Sequence, residues 1–206
     1  MAMGQPSGTD SFPKSLKPTT PRCVGMLELP SAVAERAKLV AGEIDPSTPL
    51  AVHLSLGLAY TIGSALGSIP PSVDVCLEAF SLPNKAGLIA GARAWSKHFH
   101  RSQSTDSELT NNGWWGQPSG PVAIINERAL VLFWKIVNEA SWRNLHWLPH
   151  QVLVYEVRIE EGYGMRWSQD QSSQEDGTKD LEAHPWTFRG FLEPMMENGH
   201  EVGWRH

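Results

Sequence analysis

The chain has little cysteine and little positive charge, and both shortages limit what it can be. Only two cysteines occur, Cys23 and Cys76, and they have no metal-ligand spacing. They predict neither a disulfide framework nor a zinc site, and they favour a reducing compartment. The formal net charge is −5 and the pI about 5.9. Because backbone phosphates demand clustered Lys and Arg, this balance predicts a protein with no nucleic-acid partner, although local Arg clusters could still bind a small anion.

Sequence signatures of several enzyme classes are also missing. The chain has no Gly-rich phosphate loop, nucleophile elbow, helical metalloprotease motif or paired-cysteine zinc site. The amino-terminal residues lack the apolar core of a secretory signal, and no long-period repeat occurs. We therefore expect a soluble, cytoplasmic protein with a disordered leader over residues 1–28 and a single α+β domain over 29–206. A polar stretch at 169–185 is expected to form a flexible excursion from that domain.

A stretch without Asp, Glu, Lys or Arg runs from Pro46 to Val73 and contains an interval, 50–69, long enough to span a bilayer. Several polar residues and the lack of a basic flank argue against a membrane span. Bulky residues recur at helical spacing opposite a face of small residues, which predicts a buried helix in a protein with no membrane partner. The bulky positions are Leu54, Leu58, Ile62, Leu66 and Ile69.

Helical periodicity gives way to strand alternation in the last third of the chain. Helices are predicted from Asn84 to about His100 and from Pro121 to about Trp142, separated by a loop that Trp114-Trp115 pins to the core. Strands are predicted at 153–159, 165–168 and 186–193, with a turn at 162–164. This order predicts an α+β fold in which N-terminal helices pack on a small C-terminal antiparallel sheet. The alternative is a mainly helical bundle with a terminal β-hairpin.

Charged side chains alternate with apolar ones along the predicted strands. Arg158, Arg166 and Arg189 should share the sheet face opposite the core with Glu156 and Glu193. Three guanidinium groups on one face can hold a carboxylate or a phosphate. The alternative is a solvated face with cross-strand ion pairs, each contributing about 0.2–1 kcal/mol.

Histidines cluster where the long helix is expected to give way to the first strand. A neutral His146 or His150 there could act as a general base, although a role in capping the helix is an equal alternative. A turn at Asn198-Gly199 would bring His200 and Glu201 toward Glu193. No spacing in this region identifies a metal or another cofactor, and the oligomeric state is not indicated.

These groups together predict an intracellular protein that binds a small-molecule ligand. They leave open whether it is also an enzyme that uses His and Glu for acid–base chemistry on a small anionic substrate. The alternatives are a non-catalytic protein–protein interaction module with a Trp/Arg-rich surface, and a metal-dependent hydrolase or isomerase. The predicted catalytic residues are His146, His150, His200, Glu193 and Glu201. The predicted ligand-binding residues are Arg166, Arg189, Arg158, Trp147, Trp167 and Trp204.

Several segments of the second half of the chain resemble a group of uncharacterised proteins from fungi, plants and bacteria. The segments are Trp114-Trp-Gly116, Arg143-Asn-Leu-His-Trp-Leu-Pro-His150, Gly162-Tyr-Gly-Met-Arg-Trp-Ser168, Phe188-Arg-Gly-Phe-Leu-Glu-Pro194 and Gly199-His-Glu201. The resemblance implies no activity, cofactor or catalytic residue.

Overall fold

The computed structural model describes residues 20–102, 113–172 and 184–195. Within these ranges the chain forms five α-helices followed by a four-stranded antiparallel sheet, which confirms the predicted α+β class over the helical bundle. The helices are α1 (Ala32–Ala41), α2 (Pro49–Ser55), α3 (Val73–Ser81), α4 (Ala90–His98) and α5 (Val122–Glu139), with a 3₁₀ turn at Phe99–Ser102 after α4. The strands are β1 (Trp142–Leu148), β2 (Val152–Arg158), β3 (Gly164–Asp170) and β4 (Thr187–Leu192).

The strands follow one another in the order β1-β2-β3-β4, each antiparallel to the next. Leu145, Tyr155, Trp167 and Phe188 stand opposite one another across the four strands. Because side chains alternate along a strand, this register defines two faces. One carries these apolar residues and is called the helix-covered face. The other carries a set of polar residues and is called the polar face: Asn144, His146, Glu156, Arg166 and Ser168.

Helices α4 and α5 pack on the helix-covered face. The fully buried ring of Phe80, on α3, lies at the centre of this layer, 5.1 Å from the ring of Phe133 and 4.8 Å from that of Phe188. The loop before α5 is fixed by Trp115, which is 3% exposed, and by Trp114, which stacks on Tyr163 at 4.4 Å. The prediction that this tryptophan pair pins the loop is therefore confirmed.

The helix predicted over 50–69 is wrong beyond Ser55, where α2 ends. Gly57, Gly63 and Gly67 have φ of 69°, 82° and 80°, a left-handed conformation that interrupts a helix and that glycine adopts at little cost. The backbone between these glycines lies along the outer edge of β1 and forms hydrogen bonds with it. Ala59 N donates to Arg143 O at 2.7 Å, and Trp147 N donates to Gly63 O at 2.9 Å. Ile62, one of the bulky positions, is consequently 89% exposed. Among the helices of the described ranges, none is both long and apolar enough to cross a membrane.

Strand β1 begins at Trp142, where the sequence pattern predicts a junction between helix and strand. Both sides of the strand are buried near its start, since Asn144 is 6% and Leu145 0% exposed. Such a strand shows no alternation of polar and apolar residues, which explains why the pattern did not reveal it. Helix α4 likewise begins at Ala90 rather than at Asn84, whose side chain instead accepts hydrogen bonds from Ala86 N and Leu88 N in a turn.

The register shifts between Arg166 and Trp167, so that Arg189 of β4 has no partner on β3. Such a bulge adds one residue to the strand and reverses the alternation beyond it. Phe188 and Phe191 therefore both join the core cluster, whereas simple alternation would place them on opposite faces. Gly190, at φ 129°, accommodates the irregular backbone.

The residues that precede α1 lie along the far end of the sheet. Arg22 N donates to Ser141 O at 2.9 Å and Val24 N to Glu160 O at 2.8 Å. These bonds attach the described end of the predicted leader to β1 and to the turn after β2. The predicted excursion at 169–185 begins inside β3, which ends at Asp170. Of the rest of it, the structure describes residues 171–172 and 184–185. The proposed division into a leader and a single domain stays a prediction.

Candidate functional site

A cavity of about 460 Å³ forms a groove on the sheet beside its β4 edge. Positively charged and imidazole side chains from four elements line it: Lys97 and His98 from α4, Arg101 from the 3₁₀ turn, Arg166 from β3 and Arg189 from β4. Burial and the charges of Arg101 and Lys97 lower the pKa of His98. Glu193 is the one acidic side chain among the described residues of the lining, so the groove favours anions. These residues are referred to below as the basic groove.

Arg166, which lines the groove, belongs to a buried ion pair on the polar face. Arg166 lies opposite Glu156 in the register, and its Nε donates to Glu156 Oε1 at 2.7 Å. Arg158 contacts the other carboxylate oxygen, Oε2, at 3.5 Å. Burial raises the pKa of Glu156, but the two arginines outweigh this effect and hold the pKa below its usual value. Glu156 is therefore ionised and fixes the orientation of Arg166, whose side chain is still 27% exposed.

His146 stands on β1 beside this ion pair. It lies opposite Val154, so Glu156 is its diagonal neighbour on the polar face. Burial has the largest effect on the pKa of His146 and lowers it. The charge of Glu156 raises this pKa, and the charge of Arg166 lowers it. Its Nδ1 is buried and has no hydrogen-bond partner within the described ranges. A half-buried imidazole that is neutral at neutral pH can accept a proton.

Arg158 is a structural member of the same network. It is 2% exposed, and its Nη1 donates to Gly162 O at 2.7 Å and to Glu193 O at 2.9 Å. These bonds connect the end of β2 to the turn before β3 and to the end of β4. Of the three arginines expected to bind an anion, Arg166 and Arg189 line the basic groove, while Arg158 lies beneath it.

Glu193 follows β4 and lines the groove near Arg101. It is 8% exposed, its Oε1 has no partner within the described ranges, and its Oε2 is 4.0 Å from Arg101 Nη1. Burial raises the pKa of Glu193 above its usual value, against the opposing charges of Arg101 and Arg158. The carboxyl group therefore retains its proton to a higher pH than a free glutamate.

The other predicted site residues are dispersed. His150 is exposed in the β1–β2 turn at φ 63°, Trp147 is 40% exposed at the end of β1, and Trp167 lies fully buried with its Nε1 bonded to Cys76 O at 3.1 Å. His200, Glu201 and Trp204 lie outside the described residues. Lys97 and Arg101 line the groove and were not among the predicted site residues. Their only signal was the basic run at the end of a helix, which also fits helix capping.

The fold and the groove define an α+β protein with a cationic site on one face of an antiparallel sheet. Residues 78–175 match the family model of the CdiA C-terminal tRNase toxin domain, over a little under half of the chain. The matched stretch contains α4, α5 and the first three strands, and with them His146, Glu156 and Arg166. No curated protein and no solved structure matches the chain.

This match corrects three expectations. The resemblance to an uncharacterised family was wrong, since the matching family has a stated activity. The predicted small-molecule function and its two alternatives, the interaction module and the metal-dependent enzyme, are contradicted as well, because a tRNase acts on tRNA. For the same reason, the match contradicts the expected absence of a nucleic-acid partner. The physical reason is that net charge averages over the whole chain. It does not record that Lys97, Arg101, Arg166 and Arg189 gather in one groove.

Proposed function

We propose that the protein is a ribonuclease that cleaves tRNA in the basic groove. The observation that carries this proposal is that the stretch matching a tRNase toxin domain also supplies most of the basic groove. Only Arg189 and the residues that follow it contribute to the groove from outside residues 78–175.

The groove suits a phosphodiester backbone. Arg166 and Arg189 present guanidinium groups from neighbouring strands, and Lys97 and Arg101 extend the positive charge along the β4 edge. Guanidinium groups bind phosphate oxygens through paired hydrogen bonds, and such contacts position a nucleic acid independently of its sequence. We assign Arg166 and Arg189 to the phosphate at the reacting position and Lys97 and Arg101 to an adjacent phosphate.

The polar face also supplies a group for proton transfer. RNA differs from DNA by its 2′-hydroxyl, which attacks the adjacent phosphorus once a base removes its proton. We assign this base to His146, whose ring is neutral at neutral pH. The new bond between the 2′-oxygen and phosphorus displaces the 5′-oxygen, which leaves with a proton from water. The products are a 2′,3′-cyclic phosphate and a free 5′-hydroxyl.

Arg166 and Glu156 act together in this proposal. As negative charge grows on the phosphate oxygens, the nearby guanidinium of Arg166 stabilises it. Glu156 holds Arg166 in position through the 2.7 Å bond and is a positioning residue. Since tRNA is a cytoplasmic molecule, we place the reaction in the cytoplasm.

The test is cleavage of purified tRNA followed on a denaturing gel. The wild-type protein should produce discrete fragments that end in a cyclic phosphate, and His146→Gln should slow cleavage by at least about a hundredfold, the contribution typical of a general base. The matched comparison is His150→Gln, which changes a histidine of the same segment that lies in the exposed turn. Intact tRNA after incubation with the wild-type protein would contradict the proposal. Equal rates for wild type and His146→Gln would contradict the assignment of the base.

A further inference from the structure

A second cavity, of about 320 Å³, lies on the helix-covered side of the sheet, away from the basic groove. Its walls come from the loop after α2, from α3 and α5, and from the first three strands. Most of the lining is apolar, and the principal side chains are Leu56, Leu58, Ile69, Val73, Val137 and Trp167. A volume of this size lies within the range of pockets that bind small organic molecules.

The hydroxyl of Tyr155 is a polar group in this cavity. Tyr155 lines the cavity and is only 7% exposed, and its side chain ends in a hydroxyl. Burial raises the pKa of Tyr155 to about 12, so the group remains a neutral phenol that can donate a hydrogen bond. A ligand oxygen that enters the cavity can accept this hydrogen bond.

Arg143 supplies the charge at the rim. It is the one charged side chain among the described residues of this cavity lining, and it is exposed to solvent. It stands on β1 opposite Val157, which makes Tyr155 its diagonal neighbour on the helix-covered face. The positive charge of Arg143 is felt at the Tyr155 hydroxyl, where it opposes the effect of burial on the pKa. No carboxylate of the described residues lies within 4.0 Å of its guanidinium.

We propose that this cavity binds a small amphipathic carboxylic acid, with its apolar tail among Leu58, Val73 and Trp167 and its carboxylate between Arg143 and Tyr155. A void left by imperfect packing would explain the volume. It would not explain why a cation and a phenol meet in a mostly apolar lining. The Cys76 thiol adds no competing charge, since burial raises its pKa to about 12. The site lies on the opposite side of the sheet from the basic groove and does not depend on the proposed cleavage of tRNA.

Isothermal titration of the full chain with octanoate tests this inference. We expect saturable binding of one octanoate per chain at neutral pH. Octanamide, which has the same tail and no charge, should bind at least about tenfold more weakly because it loses the charge-assisted pair with Arg143. Arg143→Gln should weaken octanoate binding at least tenfold, and Tyr155→Phe, which keeps the ring in the core, should weaken it severalfold.

Arg128→Gln is the matched control, because Arg128 is an exposed arginine on α5 and is not among the residues that line the cavity. It should bind octanoate as the wild type does. The inference is overturned if the wild-type protein shows no saturable binding at millimolar octanoate, if octanamide binds as well, or if Arg143→Gln leaves the affinity unchanged. A protein that binds octanoate and leaves tRNA intact would refute the proposed function alone.

Discussion

At the scale of single residues, the polar face holds two arginines in different environments. Arg158 and Arg166 both contact Glu156, but Arg158 is 2% exposed and satisfied by two carbonyl oxygens, whereas Arg166 is 27% exposed and opens into the groove. A buried guanidinium that donates to two backbone carbonyls holds the backbone together, while a guanidinium that keeps access to solvent can still bind a phosphate.

The pKa of His146 sets the expected dependence of cleavage on pH. Only the neutral ring can accept a proton, so activity should be lost as the pH falls through the pKa of His146. Burial lowers this pKa below 6.5. The acidic limb of the rate of tRNA cleavage should therefore have its midpoint below 6.5 and should be absent from the residual activity of His146→Gln. The measurement is a pH–rate profile at constant ionic strength, and a midpoint above 6.5 would contradict the assignment.

Alternation along the strands was sufficient to predict that Arg166 and Glu156 share a face. It could not show that Arg158 is enclosed, because residues near the amino terminus of the chain and the end of β4 cover it. It also could not bring Lys97 and Arg101 to Arg166, since that proximity depends on how α4 packs against β4. Contacts between residues distant in sequence leave no signal in local periodicity.

At the scale of elements, the contact between α3 and α4 depends on one glycine. A Cβ added at Gly91 would lie 1.9 Å from Cζ of Phe80, whose ring is enclosed by Phe133 and Phe188. Replacing a helical glycine by alanine ordinarily stabilises a helix by about 0.5–1 kcal/mol. Here the clash should dominate, because the buried ring has no free space into which to move.

We therefore expect Gly91→Ala to lower the free energy of unfolding by about 1–3 kcal/mol, as overpacking of a core does. The measurement is urea-induced unfolding followed by circular dichroism. Ser96→Ala, a half-buried position of the same helix, is the matched control and should change the stability by much less. A stabilised Gly91→Ala protein would show that Phe80 is free to move and that the packing described for α3 and α4 is wrong.

The elements that sequence patterns failed to predict are those whose form depends on other parts of the chain. The residues after Ser55 have helical spacing, but their backbone hydrogen bonds go to β1. Strand β1 lacks alternation because both of its sides are buried at Asn144 and Leu145. The bulge at Arg189 adds one residue and reverses the alternation that would otherwise identify the core residues of β4.

At the scale of the whole molecule, charge is distributed unevenly. The chain as a whole carries a formal net charge of −5, yet the described lining of the groove combines four cationic side chains with a single carboxylate. The composition therefore argued against a nucleic-acid partner, while the local arrangement supports one. The order of helices followed by strands was sufficient to predict the fold class. The proposal of a nucleic-acid partner rests on the folded surface together with the family match.

The most direct test of the account is the rate of tRNA cleavage by Arg166→Gln, measured beside Arg128→Gln and the wild type. Both substitutions remove one positive charge, but only Arg166 lines the groove and contacts Glu156. The account predicts that Arg166→Gln slows cleavage at least tenfold, because the developing charge on the phosphate loses its guanidinium, and that Arg128→Gln cleaves at the wild-type rate. Equal rates for the two variants, or a greater loss in Arg128→Gln, would show that the polar face is not where tRNA is cleaved.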